Sequence, residues 1–335
     1  MANLMRNMLR KGAALQAGAR ARQRGFTLPE VMVALTVITI ISIVVIGALG
    51  PWLSLKQSID NDRRLSDLRQ GVYHRYQDNA MAVESQAAGT FFGMTNSTVD
   101  GFGNCVTATA GFQGMNNYIT DSGLQAARDG YGNPLCVFVS NQLSSVQEGT
   151  TLYFRNIAIV SPGRDGKMEP DTRMNVANGT ITFHGDDIGF VVSGYEIQHG
   201  KLRETLLRMS RIANTYEAYF STRFLSYPDR DITRNHFSRT WDSSGSVAST
   251  GGAWQPALTL LGAIGVSPSD AYSAWETNNQ IMVGNHTEAA NGVQVRSPAT
   301  TGVGRLPYSA LVTAQIPSPA GAGPAYVTRV AVGNY

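Results

Sequence analysis

The feature that most constrains this chain is an uncharged apolar run that follows a short basic leader. From Val31 to Leu49 there is no charged residue, and the carboxylate that stands directly before the run is Glu30. At about 1.5 Å per residue, a helix from Phe26 to Leu49 is long enough to cross the hydrocarbon core of a bilayer. A lone carboxylate at the edge of such a segment is costly and needs a partner. The sequence therefore predicts a membrane-spanning helix with an acidic residue near its start.

The residues at the end of the leader indicate which class of N-terminal signal the chain carries. They read Arg24-Gly25-Phe26-Thr27-Leu28-Pro29-Glu30. An ordinary secretory signal fits less well, because its apolar part is shorter and its cleavage site follows that part. The segment resembles the class III signal of type IV pilins and type II secretion pseudopilins. In that family a membrane peptidase cuts after the glycine and methylates the new N-terminal phenylalanine, so the resemblance implies cleavage between Gly25 and Phe26.

The same resemblance gives Glu30 a role in assembly. Glu30 would be the fifth residue of the mature chain, and in a pilin-like filament it would pair with the positive N-terminus of a neighbouring subunit. The implied partners are other pilin or pseudopilin subunits, the prepilin peptidase and the inner-membrane assembly platform. The alternative is an uncleaved signal anchor, in which Glu30 reaches to the membrane interface.

The excess of positive charge in this chain comes from residues 1–25. The formal net charge is +3, from 27 basic and 24 acidic residues. Six of the basic residues lie in the leader, which has no acidic residue, so the mature chain has 21 basic against 24 acidic residues. A basic flank is typical of the cytoplasmic side of a membrane span. No basic patch with interleaved aromatic residues follows, so the sequence does not favour nucleic-acid binding.

Two cysteines, Cys105 and Cys136, are the only ones in the chain. A body that follows an outward-facing anchor would lie in the periplasm, where disulfides persist. One bridge between them is the preferred interpretation, and two buried free thiols are the alternative. A tetrahedral metal site would need four ligands, and no histidine is close to either cysteine in sequence.

Beyond the apolar run the helix is expected to continue. Gly50-Pro51 predicts a kink or a softened turn, because proline lacks a backbone donor and clashes with the preceding turn. An apolar stripe then recurs every three or four residues, which predicts an amphipathic helix to about residue 88 with this stripe in the core. The stripe consists of Leu65, Leu68, Val72 and Tyr76.

Turn signals and apolar runs predict strands after this helix. One strand candidate, 135–139, follows the turn Asp129-Gly130-Tyr131-Gly132-Asn133-Pro134. The next, Tyr153 to Val160, ends in Ser161-Pro162-Gly163-Arg164-Asp165-Gly166, and Asp186-Asp187-Ile188-Gly189 comes later. These segments resemble the C-terminal half of the major pseudopilin of type II secretion. They depart from it at Gly130 and Tyr131, which replace the usual proline and tryptophan, and in a longer last loop.

In that family the last loop binds calcium. The resemblance makes Ser161, Asp165, Asp186 and Asp187 the candidate ligands, and calcium is the cofactor that it implies. Calcium takes six to eight oxygen ligands, which the carboxylates and carbonyls of such a loop supply. The alternative is that the Asp and Gly residues only mark surface turns.

A second helix-and-strand pattern follows the first. An apolar stripe predicts a helix from about 200 to 225, and a strand pair is predicted near 308–313 and 326–332. The order helix, loop, strands therefore occurs twice, either as a duplicated unit or by chance. The predicted division is a leader at 1–25, a transmembrane helix at 26–50, a pilin- or pseudopilin-like periplasmic head at 51–195, and a second domain at 196–335. That second domain is either a duplicated pilin-like unit or an appended binding domain.

The predicted fold class is α+β, with a long N-terminal helix packed on a small antiparallel sheet and a second helix-plus-sheet unit. No His-x-x-x-His pair, Gly-x-Ser-x-Gly turn or phosphate-binding glycine loop is present, so an enzyme is not expected. The predicted function is a structural subunit of a type IV pilus or type II secretion filament, anchored once in the inner membrane with its head in the periplasm. The extra unit favours a minor subunit, because a major subunit must tile a surface many times. The alternatives are a pilus-tip minor pilin with a C-terminal adhesin-like module and a membrane enzyme with a borrowed anchor.

Overall fold

The computed structural model describes most of the chain in separate stretches. Internal contacts divide the chain into two units, Met1–Ser58 and Ile59–Tyr335. The leader, Gly25 and Phe26 lie outside the described residues. These are residues 27–107, 113–114, 117–118, 127–228, 230, 236–237, 255–258, 265–275, 279–284 and 309–333.

The first element is a long helix, α1 (Leu28–Asp78), of 51 residues. It continues through Pro51, where the sequence predicts a kink or softened turn, because a proline removes one helical hydrogen bond and the flanking turns keep theirs. Its N-terminal part is apolar and exposed, and α1 is the one helix in the described part that is long and apolar enough to cross a membrane. From Leu65 to Tyr76 the predicted stripe is buried, as expected. The helix ends ten residues earlier than about 88, and a short helix α2 (Ala80–Glu84) follows.

The next elements are β-strands that belong to three small antiparallel sheets. The strands are β1 (Thr90–Phe91), β2 (Met94–Thr95), β3 (Cys136–Val139), β4 (Leu143–Gln147), β5 (Thr150–Phe154), β6 (Asn156–Ser161) and β7 (Ile188–Ser193). The largest of these three sheets has the order β3-β6-β7, and β1-β2 and β4-β5 are two-stranded sheets. The central strand β6 is buried along all but its first residue. The predicted strand at 135–139 is thus present as β3.

The strand predicted from Tyr153 to Val160 is divided at Arg155 into β5 and β6. The backbone N–H of Arg155 donates to the Tyr76 hydroxyl at 3.1 Å, and its carbonyl accepts from the Gly194 N–H at 3.0 Å. Both backbone groups are therefore used outside a sheet ladder, which ends one strand and starts the next. Alternation of apolar residues along the sequence does not report such tertiary bonds.

The second long helix, α3 (Gly194–Ser226), begins directly after β7 and confirms the helix predicted near 200–225. The strands β8 (Gln255–Pro256), β9 (Met282–Gly284), β10 (Ser309–Ile316) and β11 (Ala325–Val332) form a sheet in that order. The pair β10-β11 is antiparallel along eight residues. The apolar side of α3 packs on this pair, and one hydrophobic core joins α1, α3 and both larger sheets. The fold class is α+β, as predicted.

A polar stripe on another side of α3 binds the segment 270–275. Along the helix, its residues are Gln198, Lys201, Thr205, Arg208 and Arg211. Gln198 accepts from the Trp275 indole at 2.6 Å, and Thr205 accepts from the Ala274 N–H at 2.9 Å. The three cations bind Ala274 O, Tyr272 O and the Asp270 carboxylate at 2.7–2.9 Å. The segment is thus tied to α3 along four helical turns.

Candidate functional site: the N-terminal anchor and the turns of the head

The N-terminus of α1 is capped by hydrogen bonds between Thr27 and Glu30. The Thr27 N–H and hydroxyl donate to one Glu30 carboxylate oxygen at 2.8 and 2.9 Å, and the Val31 N–H donates to Thr27 O at 3.1 Å. A carboxylate at the third helical position that returns to the capping residue satisfies an amide that would otherwise have no helical partner. Thr27 is not among the predicted site residues, although the Thr-x-x-Glu spacing is a known signal for the start of a helix.

Two threonines in the apolar part of α1 have hydroxyls that bond to the helix itself. The hydroxyls of Thr36 and Thr39 donate to Met32 O and Leu35 O at 2.8 and 2.7 Å. Such internal bonds are what a lipid environment demands, because hydrocarbon offers no hydrogen-bond partner. The surface of this stretch is therefore apolar and both threonine hydroxyls are bonded within the helix, which is consistent with membrane anchoring.

The far end of the apolar stretch has the side chains of a membrane–water interface. The Lys56 ammonium lies 5.9 Å from the centre of the Trp52 ring. Tryptophan and lysine are typical of this boundary, where an amphipathic ring and a long cationic side chain reach the headgroups. A helix from Glu30 to Lys56 is about 39 Å long at 1.5 Å per residue, close to the 40–45 Å of a bilayer with its headgroups.

Comparison with protein families identifies the N-terminal segment. A family model, the prokaryotic N-terminal methylation motif, matches residues 20–47. The chain carries this methylation motif. It is the class III signal of type IV pilins and pseudopilins, which implies processing by prepilin peptidase and assembly with other pilin subunits. The methylation motif indicates a structural subunit rather than an enzyme. Comparison with curated proteins and with solved structures finds no match.

The methylation motif includes the predicted processing and assembly residues. Gly25 and Phe26 lie within the matched range but outside the described residues. Glu30 also lies within it, and its carboxylate already has Thr27 as a partner in the same chain. Cleavage after Gly25 and pairing of Glu30 with a neighbouring N-terminus both stay predictions.

The predicted disulfide between Cys105 and Cys136 is present, with 5.7 Å between the Cα atoms. Both residues are buried in a second, smaller hydrophobic cluster that also contains Phe138, Val160 and Met168. The bridge therefore fixes the loop before β3 to the sheet.

Two of the four predicted calcium ligands are used within the head. Ser161 is buried, and its hydroxyl donates to an Asp129 carboxylate oxygen at 2.7 Å. The same hydroxyl oxygen accepts from the Asn61 amide of α1 at 3.3 Å. Asp165 accepts from the Lys167 N–H at 2.8 Å. Ser161 thus joins α1 to the Asp129 turn, a role that only the tertiary structure reveals.

The other two predicted ligands, Asp186 and Asp187, also accept backbone hydrogen bonds. Asp186 accepts from the Arg164 N–H at 2.7 Å, and one Asp187 oxygen accepts from the Glu169 N–H at 2.8 Å. The second oxygen of Asp187 is buried without a hydrogen-bond partner among the described residues. Burial raises the pKa of Asp187, and the nearby charges of Asp186 and Glu169 act in the same direction. The described residues contain no group of three His, Cys, Asp or Glu that could hold a metal, and calcium stays a prediction.

A buried ionic cluster fixes the chain that leaves α1. Arg155 and Glu84 are 1% and 0% exposed, and the Arg155 Nε lies 3.7 Å from a Glu84 oxygen. The guanidinium also donates to the carbonyls of Gln86, Ala87 and Thr90. The Tyr76 hydroxyl donates to Glu84, and burial raises the pKa of both groups. The sequence contains no local signal for this cluster, because its members are up to 79 residues apart.

An open cleft lies between the end of α1 and α3, with a volume of about 910 Å³. Most of its walls are polar. They are formed by Gln77, Asp78, Asn79, Lys201, Arg208, Ser269, Tyr272, Ser273, Ala274 and Trp275.

Proposed function

We propose that this chain is a minor structural subunit of a type IV pilus or type II secretion filament. Before incorporation it is held in the inner membrane by a single pass of α1, with its head in the periplasm. The observation that carries the proposal is the methylation motif at residues 20–47 on an exposed apolar helix. An apolar helix surface of this kind is stable either in lipid or against other apolar helices. Membrane storage and filament assembly both meet that requirement.

The size of the predicted second domain, residues 196–335, supports a minor role. It carries a 33-residue helix α3 and a second sheet in addition to the sheet β3-β6-β7. A major subunit repeats along the whole filament, so every extra element of its head must fit against all neighbours. A subunit present in few copies is free of that requirement.

One observation favours a second candidate, a pilus-tip minor pilin with a binding module. The cleft of about 910 Å³ is within the size range of small-molecule sites and is lined mainly by polar groups. A tip subunit with such a cleft would bind a polar ligand outside the cell. Retention of the protein on immobilised polar ligands, lost in Tyr272→Ala, would favour this candidate over a purely structural minor subunit.

Processing is the first test of the proposal. N-terminal mass spectrometry of membrane-extracted protein is expected to show a chain that begins at methylated Phe26. Gly25→Val should remain uncleaved, whereas the control Gly47→Ala should be processed normally, because no atom lies within 4 Å of a Cβ at that position. An intact Met1 in the wild type, or a cut beyond Leu49, would contradict the proposal.

Glu30 provides the second test, which concerns assembly. Glu30→Ala should insert and be cleaved normally, because the apolar run and Gly25 are unchanged, but it should crosslink poorly to partner subunits in membranes. Thr27→Ala is the matched control, since it removes a hydroxyl partner of Glu30 and keeps the charge. If Glu30→Ala crosslinks as well as wild type at equal expression, Glu30 is not an assembly contact.

A further inference from the structure

Phe102 has the most exposed large apolar side chain in the described part of the head. It is 79% exposed and lies in the loop between β2 and β3. Scattered apolar residues are normal on protein surfaces, and exposure alone does not indicate a contact site. The structure of the loop around Phe102 is what distinguishes it.

The loop is held in one conformation by Asp100. One carboxylate oxygen of Asp100 accepts from the N–H groups of Phe102 and Asn104, both at 2.8 Å. The other accepts from the Asn104 side-chain amide at 2.9 Å. The next residue, Cys105, is fixed to β3 by the disulfide. The backbone that carries Phe102 is thus fixed on both sides.

A second segment of the head supports the same loop. The carbonyl of Gly103 accepts from the Met168 N–H at 2.7 Å. Gly103 has a φ of +87°, and a Cβ at this position would lie 2.9 Å from Met168 O. Only glycine allows this close approach with this backbone conformation. Phe102 is therefore presented on a rigid support rather than on a flexible tip.

We propose that Phe102 is a docking anchor that inserts into an apolar pocket on the head of a neighbouring, different pilin-like subunit. Aromatic side chains, phenylalanine included, are enriched in the buried core of protein interfaces, which a polar rim surrounds. An anchor whose backbone is already fixed loses less conformational entropy on binding. Asp100, Asn104 and the exposed Lys167 supply the polar surroundings here. The methylation motif implies assembly with pilin subunits, which identifies the kind of partner. The inference rests on the proposed function and specifies one contact of the head.

The test places a photoreactive benzoylphenylalanine at single positions of the full chain in membranes that contain the assembly system. Position 102 tests the anchor, and position 146 is the control, because Val146 is also strongly exposed, at 69%. Position 38 in the apolar part of α1 reports helix assembly independently of the head. Mass spectrometry then identifies each adduct.

The expected result is an adduct at 102, absent at 146, with a different protein that itself carries a methylation motif. Phe102→Ala should weaken co-purification of that partner at least about tenfold, as loss of a central aromatic anchor does, and Phe102→Tyr should retain it. No adduct at 102, a second copy of this chain, a lipid or a protein without the motif would overturn the inference. If position 38 still captures a subunit with the motif in that case, the proposed function stands. If position 38 captures none, the proposed function fails as well.

Discussion

The buried pair of Arg155 and Glu84 allows a quantitative prediction for Arg155→Met. The substitution keeps an unbranched apolar side chain in place but leaves the Glu84 carboxylate buried without its cation. Breaking such a pair costs about 3–5 kcal/mol. The hydrogen bonds to the carbonyls of Gln86, Ala87 and Thr90 add about 1 kcal/mol each. The expected loss is roughly 6–8 kcal/mol, comparable with the 5–15 kcal/mol that stabilise a typical domain.

An exposed pair of the same chemistry is the matched control. Arg329 and Glu148 are 2.9 Å apart, with side chains 42% and 51% exposed. Solvent screens such pairs, so Arg329→Met should cost about 0–1 kcal/mol. Urea unfolding of the full chain in detergent, followed by near-ultraviolet circular dichroism, measures both variants, because that signal reports the packed aromatic residues of the head. Equal midpoints for Arg155→Met and Arg329→Met would refute the reasoning.

The double variant Arg155→Met with Glu84→Gln separates the ion pair from the other bonds of Arg155. Removing both charges avoids an unpaired buried carboxylate, so the double variant should lose less stability than the sum of the single variants. Strict additivity would mean that the 3.7 Å contact between Arg155 and Glu84 contributes nothing. The loss would then come from the carbonyl bonds alone.

Three further predictions concern titration, the disulfide and calcium. Because burial raises the pKa of Glu84 above its usual 4.5, its contribution to stability is complete below pH 4.5 and is lost as the pH rises through the folded pKa. Glu84→Gln should therefore gain stability relative to wild type as the pH rises above 4.5 in urea titrations, and parallel pH curves would contradict this. The Cys105–Cys136 bridge spans 31 residues and should contribute about 3–4 kcal/mol to the free energy of unfolding. The double variant Cys105→Ser with Cys136→Ser should therefore unfold at a lower urea concentration. Thiol labelling of denatured, unreduced wild type should find no free cysteine. If the Asp186–Asp187 turn binds calcium, calcium at a hundredfold excess over Kd stabilises the folded protein by about 2.7 kcal/mol. Asp187→Asn should abolish the resulting rise in Tm, whereas the exposed control Asp171→Asn should keep it. Equal Tm values in calcium and in chelator would contradict the predicted site.

The parts of the fold that the sequence predicts are those governed by local periodicity. The stripe from Leu65 to Tyr76 is buried because residues three and four apart share one face of a helix. The last two strands, β10 and β11, were predicted for a similar reason, since apolar β-branched residues concentrate there. The anchor was predicted from length and composition alone. The methylation motif is recognisable from the sequence because its residues are contiguous.

The rest depends on contacts between residues that are distant in sequence. The sequence predicts Arg155 within a strand. In the structure its guanidinium instead donates to carbonyls that follow α2, and β5 ends at the residue before it. Ser161 is a predicted calcium ligand by resemblance, and the structure adds a hydrogen bond from its hydroxyl to Asp129. In both cases the partner lies too far along the chain for spacing to indicate it. The candidate ligands Asp186 and Asp187 are close together in the fold only because they are adjacent in sequence.

The relation between the two predicted domains shows the same limit most clearly. The boundary at 195/196 follows from an apparent repeat of helix and strands, and it stays a prediction. Gly194, just before that boundary, begins α3, and a Cβ there would collide with Arg155 O and the Tyr76 hydroxyl. Four residues later, Gln198 donates to Ala80 O at 2.8 Å and accepts from the Trp275 indole. A single buried amide thus joins the first residue of α2, α3 and the segment before β9. Since buried polar groups are costly without partners, residues before and after the predicted boundary depend on each other for stability.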